Sequence, residues 1–231
     1  MLPKLGFFHF CGEDRSDPVG SLRASLIEAA MEADISGSLI VTPEAFNIRG
    51  GYWNPDRRLD PSIRAALSGL STEFKVALVA GLIEDGDAHG PGYSSAYLIN
   101  GRDCDLLTRK MADDGSHNYR LCTDDCDKPT LYNGASVAAL LCMDAADFSK
   151  SNRRQAAVLE RMAFSKSAHK ILCVPAHMMT YGSREVALDW PMDVAVVVAN
   201  SSPQQPSVLR FGADANCLKA NQSIVRFAVL P

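Results

Sequence analysis

The chain of 231 residues is 47% apolar and 22% charged, with a formal net charge of −4; that is enough apolar content to bury a large core in a single domain spanning 1–231. A net negative chain without a basic stripe argues against a nucleic-acid surface, and no apolar run reaches bilayer-spanning length. The opening MLPKLGFFHF lacks the features of a secretory leader, and seven scattered cysteines read as reduced thiols in a cytoplasmic protein.

In chain order, 4–10 has strand composition and is broken by the turn residues of CGEDRSDPVG. Leu22, Ser25, Leu26, Ala29 and Ala30 recur at helical spacing and predict an amphipathic helix over 19–33, with Gly37 as its stop. A short buried strand over 38–42 leads into PEAFNIRGGYWNPDRR, a long loop of the kind that carries function. A second helix spans 61–74 and a strand 75–83. Residues 93–99 and 104–108 form a hairpin around NGRD, where Asn-Gly favours a type I′ turn. The stretch 110–133 is polar and irregular. Then come a strand at 136–141, a helix at 149–168, strands at 170–174 and 194–199, and two closing strands at 208–211 and 224–229. The hairpin makes this an α/β domain with mixed strands.

Three reactive side chains stand at or just past the carboxyl ends of predicted strands: Glu44 after SLIVTP, Lys110 after CDLLTR and Cys142 after SVAALL. Each alone has a bland reading: a solvated loop carboxylate, a lysine snorkelling to water, a small buried hydrophobe. Together their chemistry is complementary. A carboxylate can take the thiol proton as general base, and an ammonium can favour the thiolate and stabilise an oxyanion.

Set in TPEAF, RK and LLCMDAADF, and followed by ILCVPAHM and VAVVVANSS, these residues make the chain resemble the carbon–nitrogen hydrolase (nitrilase) superfamily over residues 4 to 200. The resemblance implies a four-layer α-β-β-α sandwich with mixed sheets, usually assembled through dimers. It implies Cys142 as nucleophile, Glu44 as general base and Lys110 as the cation facing the oxyanion, joined by the backbone N–H of Met143. The implied reaction is attack on an amide, carbamoyl or nitrile carbon of a small molecule, through a thioester and without cofactor or metal. Nucleic acid and membrane are not expected partners; a second copy of the chain is. The acidic turn after Cys142 reads as the start of a helix whose dipole favours carboxylates. His177 in VPAHMM is a candidate to line the pocket, with a structural histidine as the alternative. Trp53 and Tyr52 are candidates to cap it, with a core or interface role as the alternative.

The chain departs from the pattern in three places. Many members carry a second Glu soon after the Lys; RKMADDGSHNYRL has none. An ungapped match puts His117 there, and Asp113, Asp114, Asp124 or Asp125 are further candidates. EVALDWPMD replaces the usual Arg-Ala-x-Glu-Asn run, and the hairpin after Asn200 shrinks to SSPQQPSVLRF. These departures support a second reading, a catalytically silent binding or sensing module; a third keeps the enzyme but passes the acyl group to an amine or hydroxyl. Cys122, Cys126 and His117 are zinc-type ligands at a loose spacing with no fourth partner, and an ordinary polar loop competes with that reading. The helix over 149–168 carries Ala156, Leu159, Met162, Ala163 and Phe164, a broad apolar face suited to a dimer contact.

Overall fold

A computed structural model describes residues 3–10, 17–49, 58–88, 91–112, 119–124, 126–146, 148–164, 167, 169–177, 182–201, 205–212, 218–220 and 225–229. Strand β1 (Lys4–Phe8) leads to helix α1 (Pro18–Glu32), which Asp17 caps by accepting the Gly20 N–H at 2.8 Å while Pro18 fills the first turn. Strand β2 (Leu39–Val41) follows, then a small ribbon of β3 (Ile48–Arg49) and β4 (Arg58–Leu59) within the long loop. Helix α2 (Ser62–Phe74) precedes β5 (Ala77–Ile83), β6 (Ser94–Asn100) and β7 (Asp103–Arg109).

The second half opens with β8 (Thr130–Tyr132) and β9 (Ala135–Ala139), then α3 (Met143–Ala146) and α4 (Phe148–Phe164). It closes with β10 (His169–Pro175), α5 (Ser183–Leu188), β11 (Val194–Ala199), β12 (Ser207–Arg210), β13 (Leu218–Ala220) and β14 (Val225–Val229).

Two six-stranded sheets result, ordered β14-β1-β2-β5-β6-β7 and β13-β12-β11-β10-β9-β8. Each has parallel strands at its centre, β1-β2-β5 in one and β9-β10-β11 in the other, with antiparallel partners outside. Alternating side chains sort into three apolar layers, as the two-residue strand period requires. Leu5, Phe7, Val41, Val79, Val137, Cys173 and Val197 fill the space between the sheets. Phe8, Ile40, Leu78 and Ile99 meet Leu22, Leu26, Ile63 and Leu67 of α1 and α2. Leu172, Val174, Val196 and Val208 meet Val158 and Met162 of α4 and Val186 of α5. The layers therefore run α-β-β-α, as the sequence leads one to expect. Among the described residues no helix is long and apolar enough to cross a membrane.

Local differences from the sequence reading have local causes. Strand β8 lies inside the stretch read as irregular, because three residues with one inward side chain, Tyr132, are too short to show a period. The β6–β7 hairpin pairs Asn100 with Asp103 and turns on Gly101 and Arg102, with Gly101 at φ +61°. Positive φ at the first central residue is the type II′ arrangement, so the glycine and not Asn-Gly sets the turn. The broad apolar face expected on α4 is divided: Met162 is buried, Ala156 and Ala163 are exposed, and Phe164 is 75% exposed.

Candidate active site

Glu44 stands three residues past the end of β2. The turn that carries it is held by the Thr42 N–H on Val79 O at 2.9 Å and the Phe46 N–H on Gly81 O at 2.8 Å. Gly81 is required there: a β-carbon on it would lie 2.7 Å from Glu44 Cα and 2.8 Å from Pro175 Cβ. Lys110 directly follows β7, with its N–H on Ser94 O at 2.8 Å and its carbonyl accepting the Cys122 N–H at 2.9 Å. Its Nζ lies 2.9 Å from Glu44 Oε1 and 3.2 Å from Oε2, and 4.7 Å from the centre of the Tyr119 ring. The two charged side chains are 0% and 1% exposed. A pair this deep survives because each charge neutralises the other and the remaining lone pairs find donors; the Ser94 hydroxyl donates to Glu44 Oε1 at 2.7 Å.

Cys142 lies past the end of β9, buried, at φ +40°. A residue bearing a β-carbon adopts that left-handed conformation only where its surroundings hold it. Three consecutive carbonyls at the end of β10 supply part of that hold and join the two sheets. Pro175 O accepts the Cys142 N–H at 3.0 Å, Ala176 O accepts the Glu44 N–H at 3.3 Å, and His177 O lies 3.7 Å from the Cys142 thiol. A second tie runs through Asp144, whose carboxylate accepts the N–H groups of Met111 and Ala112, next to Lys110, at 3.1 and 2.6 Å. Arg154 of α4 reaches Asp144 at 2.6 Å, Asp127 at 2.8 Å and the Thr108 hydroxyl at 2.8 Å. Burial pushes the Asp144 carboxyl up, against the opposing pull of Arg154 and of the two backbone donors. Cys173, on the parallel strand β10, is wholly buried between the sheets, where desolvation raises it far above the ordinary thiol range, as suits a packing residue.

No family model matches the sequence, and no curated protein matches it. Solved structures do. The NitN amidase from Nesterenkonia sp. AN1 aligns at a TM-score of 0.68 and 15% identity over 100% of this chain and 93% of its own; in a mutant of that amidase, acrylamide has added to the active-site cysteine. A carbon–nitrogen hydrolase from Helicobacter pylori G27 aligns at 0.67 and 17% identity, over 98% of this chain and 88% of its own. Nit3 of Saccharomyces cerevisiae, from branch 10 of the nitrilase superfamily, aligns at 0.67 and 16% identity, over 98% and 89%. This is the nitrilase-superfamily fold.

Within that fold, Glu44 and Lys110 are in contact, and Cys142 is tied to both of their segments through 175–177 and Asp144. Met143 opens α3 and packs partly buried beside the outer core. His177 follows β10 as expected, with its Nδ1 2.7 Å from the Ser201 hydroxyl. His117, Trp53 and Tyr52, with Asp113, Asp114 and Asp125, lie outside the described residues; Asp124 is exposed. The acidic turn opens a helix as expected, the four-residue α3 with Asp144 in its first turn, and Asp144 also serves backbone N–H groups across the site. The sulfurs of Cys122 and Cys126 lie side by side in the loop after Tyr119, each within 3.4 Å of the Asp124 carbonyl. Among the described residues no cluster suited to a metal occurs. Ser94, Gly81, Tyr119 and Arg154 carry no sequence signal of their own, since each acts on a partner far along the chain.

Proposed function

We propose that the chain is a cysteine-dependent hydrolase of a carbon–nitrogen bond in a small amide-like molecule. The observation that carries this reading is the buried Lys110–Glu44 pair, fastened through backbone hydrogen bonds to a cysteine held at positive φ. In the proposed sequence the Cys142 S–H bond breaks and its proton passes to Glu44. The sulfur then bonds to the carbonyl carbon, and the negative charge moves to oxygen, facing Lys110 and the Met143 N–H. Collapse breaks the C–N bond, and the proton on Glu44 goes to the departing nitrogen. Water then gives a proton to Glu44 while its oxygen bonds to the thioester carbon; the C–S bond breaks, the acid leaves, and the proton on Glu44 returns to the Cys142 sulfur. The fold neighbours include an amidase and a carbon–nitrogen hydrolase, which supports this class of chemistry over the binding-module reading.

Alkylation tests it. Iodoacetamide near neutral pH should label Cys142 well before Cys104, with ammonia released from short aliphatic amides by the wild type and not by Cys142→Ala. Equal labelling of Cys142 and Cys104, with no ammonia from any amide tried, would establish the silent module instead.

A further inference from the structure

We infer that Ser94 is a positioning residue that assigns separate tasks to the two oxygens of Glu44: Oε1 is held, and Oε2 carries the proton. The inference rests on the proposed role of Glu44 as general base. Ser94 is fully buried on β6, and it touches both members of the pair at once. Its hydroxyl donates to Glu44 Oε1 at 2.7 Å while its carbonyl accepts the Lys110 N–H at 2.8 Å. Lys110 Nζ also sits closer to Oε1, at 2.9 Å, than to Oε2, at 3.2 Å. Among the described residues Oε1 therefore has two donors and Oε2 one.

A carboxylate oxygen offers about two in-plane acceptor sites, so Oε1 is filled and Oε2 keeps a lone pair to receive a proton. The strand period makes Ser94 specific in this role. The neighbouring Ser95 faces the other side of the sheet and donates to Glu84 at 2.6 Å. The terminal torsion of a glutamate is broad and two-fold; without the Ser94 hydroxyl only Lys110 would fix its rotation. In the first step the S–H bond of Cys142 breaks and an Oε2–H bond forms. When the C–N bond breaks, that hydrogen leaves Oε2 for the nitrogen, and Oε1 keeps its two donors throughout.

The test compares wild type, Ser94→Ala, and the equally shaped pair Ser94→Thr and Ser94→Val, which differ by one hydroxyl. The readout is the rate of Cys142 alkylation by iodoacetamide near pH 7, located by peptide mass, beside each thermal midpoint. A base whose rotation is no longer fixed misplaces Oε2, so alkylation should fall about tenfold or more in Ser94→Ala, with the same gap between Ser94→Val and Ser94→Thr. The shared shape of Thr and Val keeps the comparison valid even if a larger side chain loosens the strand. Ser94→Val reacting as fast as Ser94→Thr would overturn the inference while leaving the general-base reading intact. Wild-type Cys142 reacting no faster than Cys104 would overturn that reading and this inference with it.

Discussion

Cys142 holds a backbone conformation that costs a residue with a β-carbon roughly 1 kcal/mol, and the Pro175 carbonyl and the first turn of α3 maintain it. Alanine has the same β-carbon, so Cys142→Ala keeps the strained turn and loses only the sulfur. The expected stability change is about 1 kcal/mol or less by chemical denaturation, with turnover abolished. Lys110→Met behaves differently. It leaves the Glu44 carboxylate buried with the Ser94 hydroxyl as its remaining side-chain partner among the described residues, which costs about 3–5 kcal/mol. Adding Glu44→Gln to Lys110→Met should recover much of that loss in the same denaturation experiment; no recovery would mean that the pair is not the source of the cost. Glu44, Lys110 and Cys142 could be singled out in the sequence because each follows a predicted strand and the three, in chain order and in their motifs, resemble one family's pattern. Ser94 could not be, because a serine in SSAYLIN is unremarkable until the fold sets it against a carboxylate fifty positions away.

Elements meet at the carboxyl ends of the central strands, and there glycine and histidine do work that periodicity cannot reveal. At Gly81 on β5 a methyl group would overlap Glu44 Cα and Pro175 Cβ, backbone and ring atoms that cannot swing away. Gly81→Ala should cost about 1–3 kcal/mol and slow Cys142 alkylation, since the turn carrying Glu44 must move; a stable variant with unchanged alkylation would contradict this. His9, just past β1, is fully buried with Nδ1 2.8 Å from the Ser207 hydroxyl of β12. Burial lowers it below its ordinary value of 6.5, opposed by a hydrogen bond with the Asn200 backbone. The unfolded chain thus takes up a proton that the native chain resists, so stability present above pH 6.5 is lost as the pH falls below it. Unfolding free energies should decline as the pH falls below 6.5, and His9→Gln should remove part of that decline. The strands and long helices were readable because their alternation is strong. The short β8, the β3–β4 ribbon and α5 were not, because two to six residues cannot display a period and their positions are dictated by neighbours.

For the whole molecule, mixed strands were readable from the residues and the four-layer order only through the resemblance, whereas the assignment of strands to sheets was not readable, since pairing joins distant segments. We propose that the chain self-associates, and the exposed Phe164 and Leu131, 75% and 61% accessible, are the side chains to follow in testing it. Sedimentation at micromolar concentration should give at least twice the chain mass; a single 25.0 kDa species would rule it out.

The two halves of the chain do not keep to their own sheets. Strands β1, β2, β5, β6 and β7 come from the first half, but the edge of their sheet is closed by β14, which pairs Lys4 with Val229 and Phe8 with Val225. During synthesis that first sheet can assemble long before β14 exists, and until then β1 presents unpaired N–H and C=O groups to any strand it meets. The final strand therefore acts as a latch that ends a period of stickiness. A chain stopped after residue 212 should retain most of its apolar layers yet associate edge to edge, and a separately added peptide spanning 218–231 should suppress that association by docking along β1.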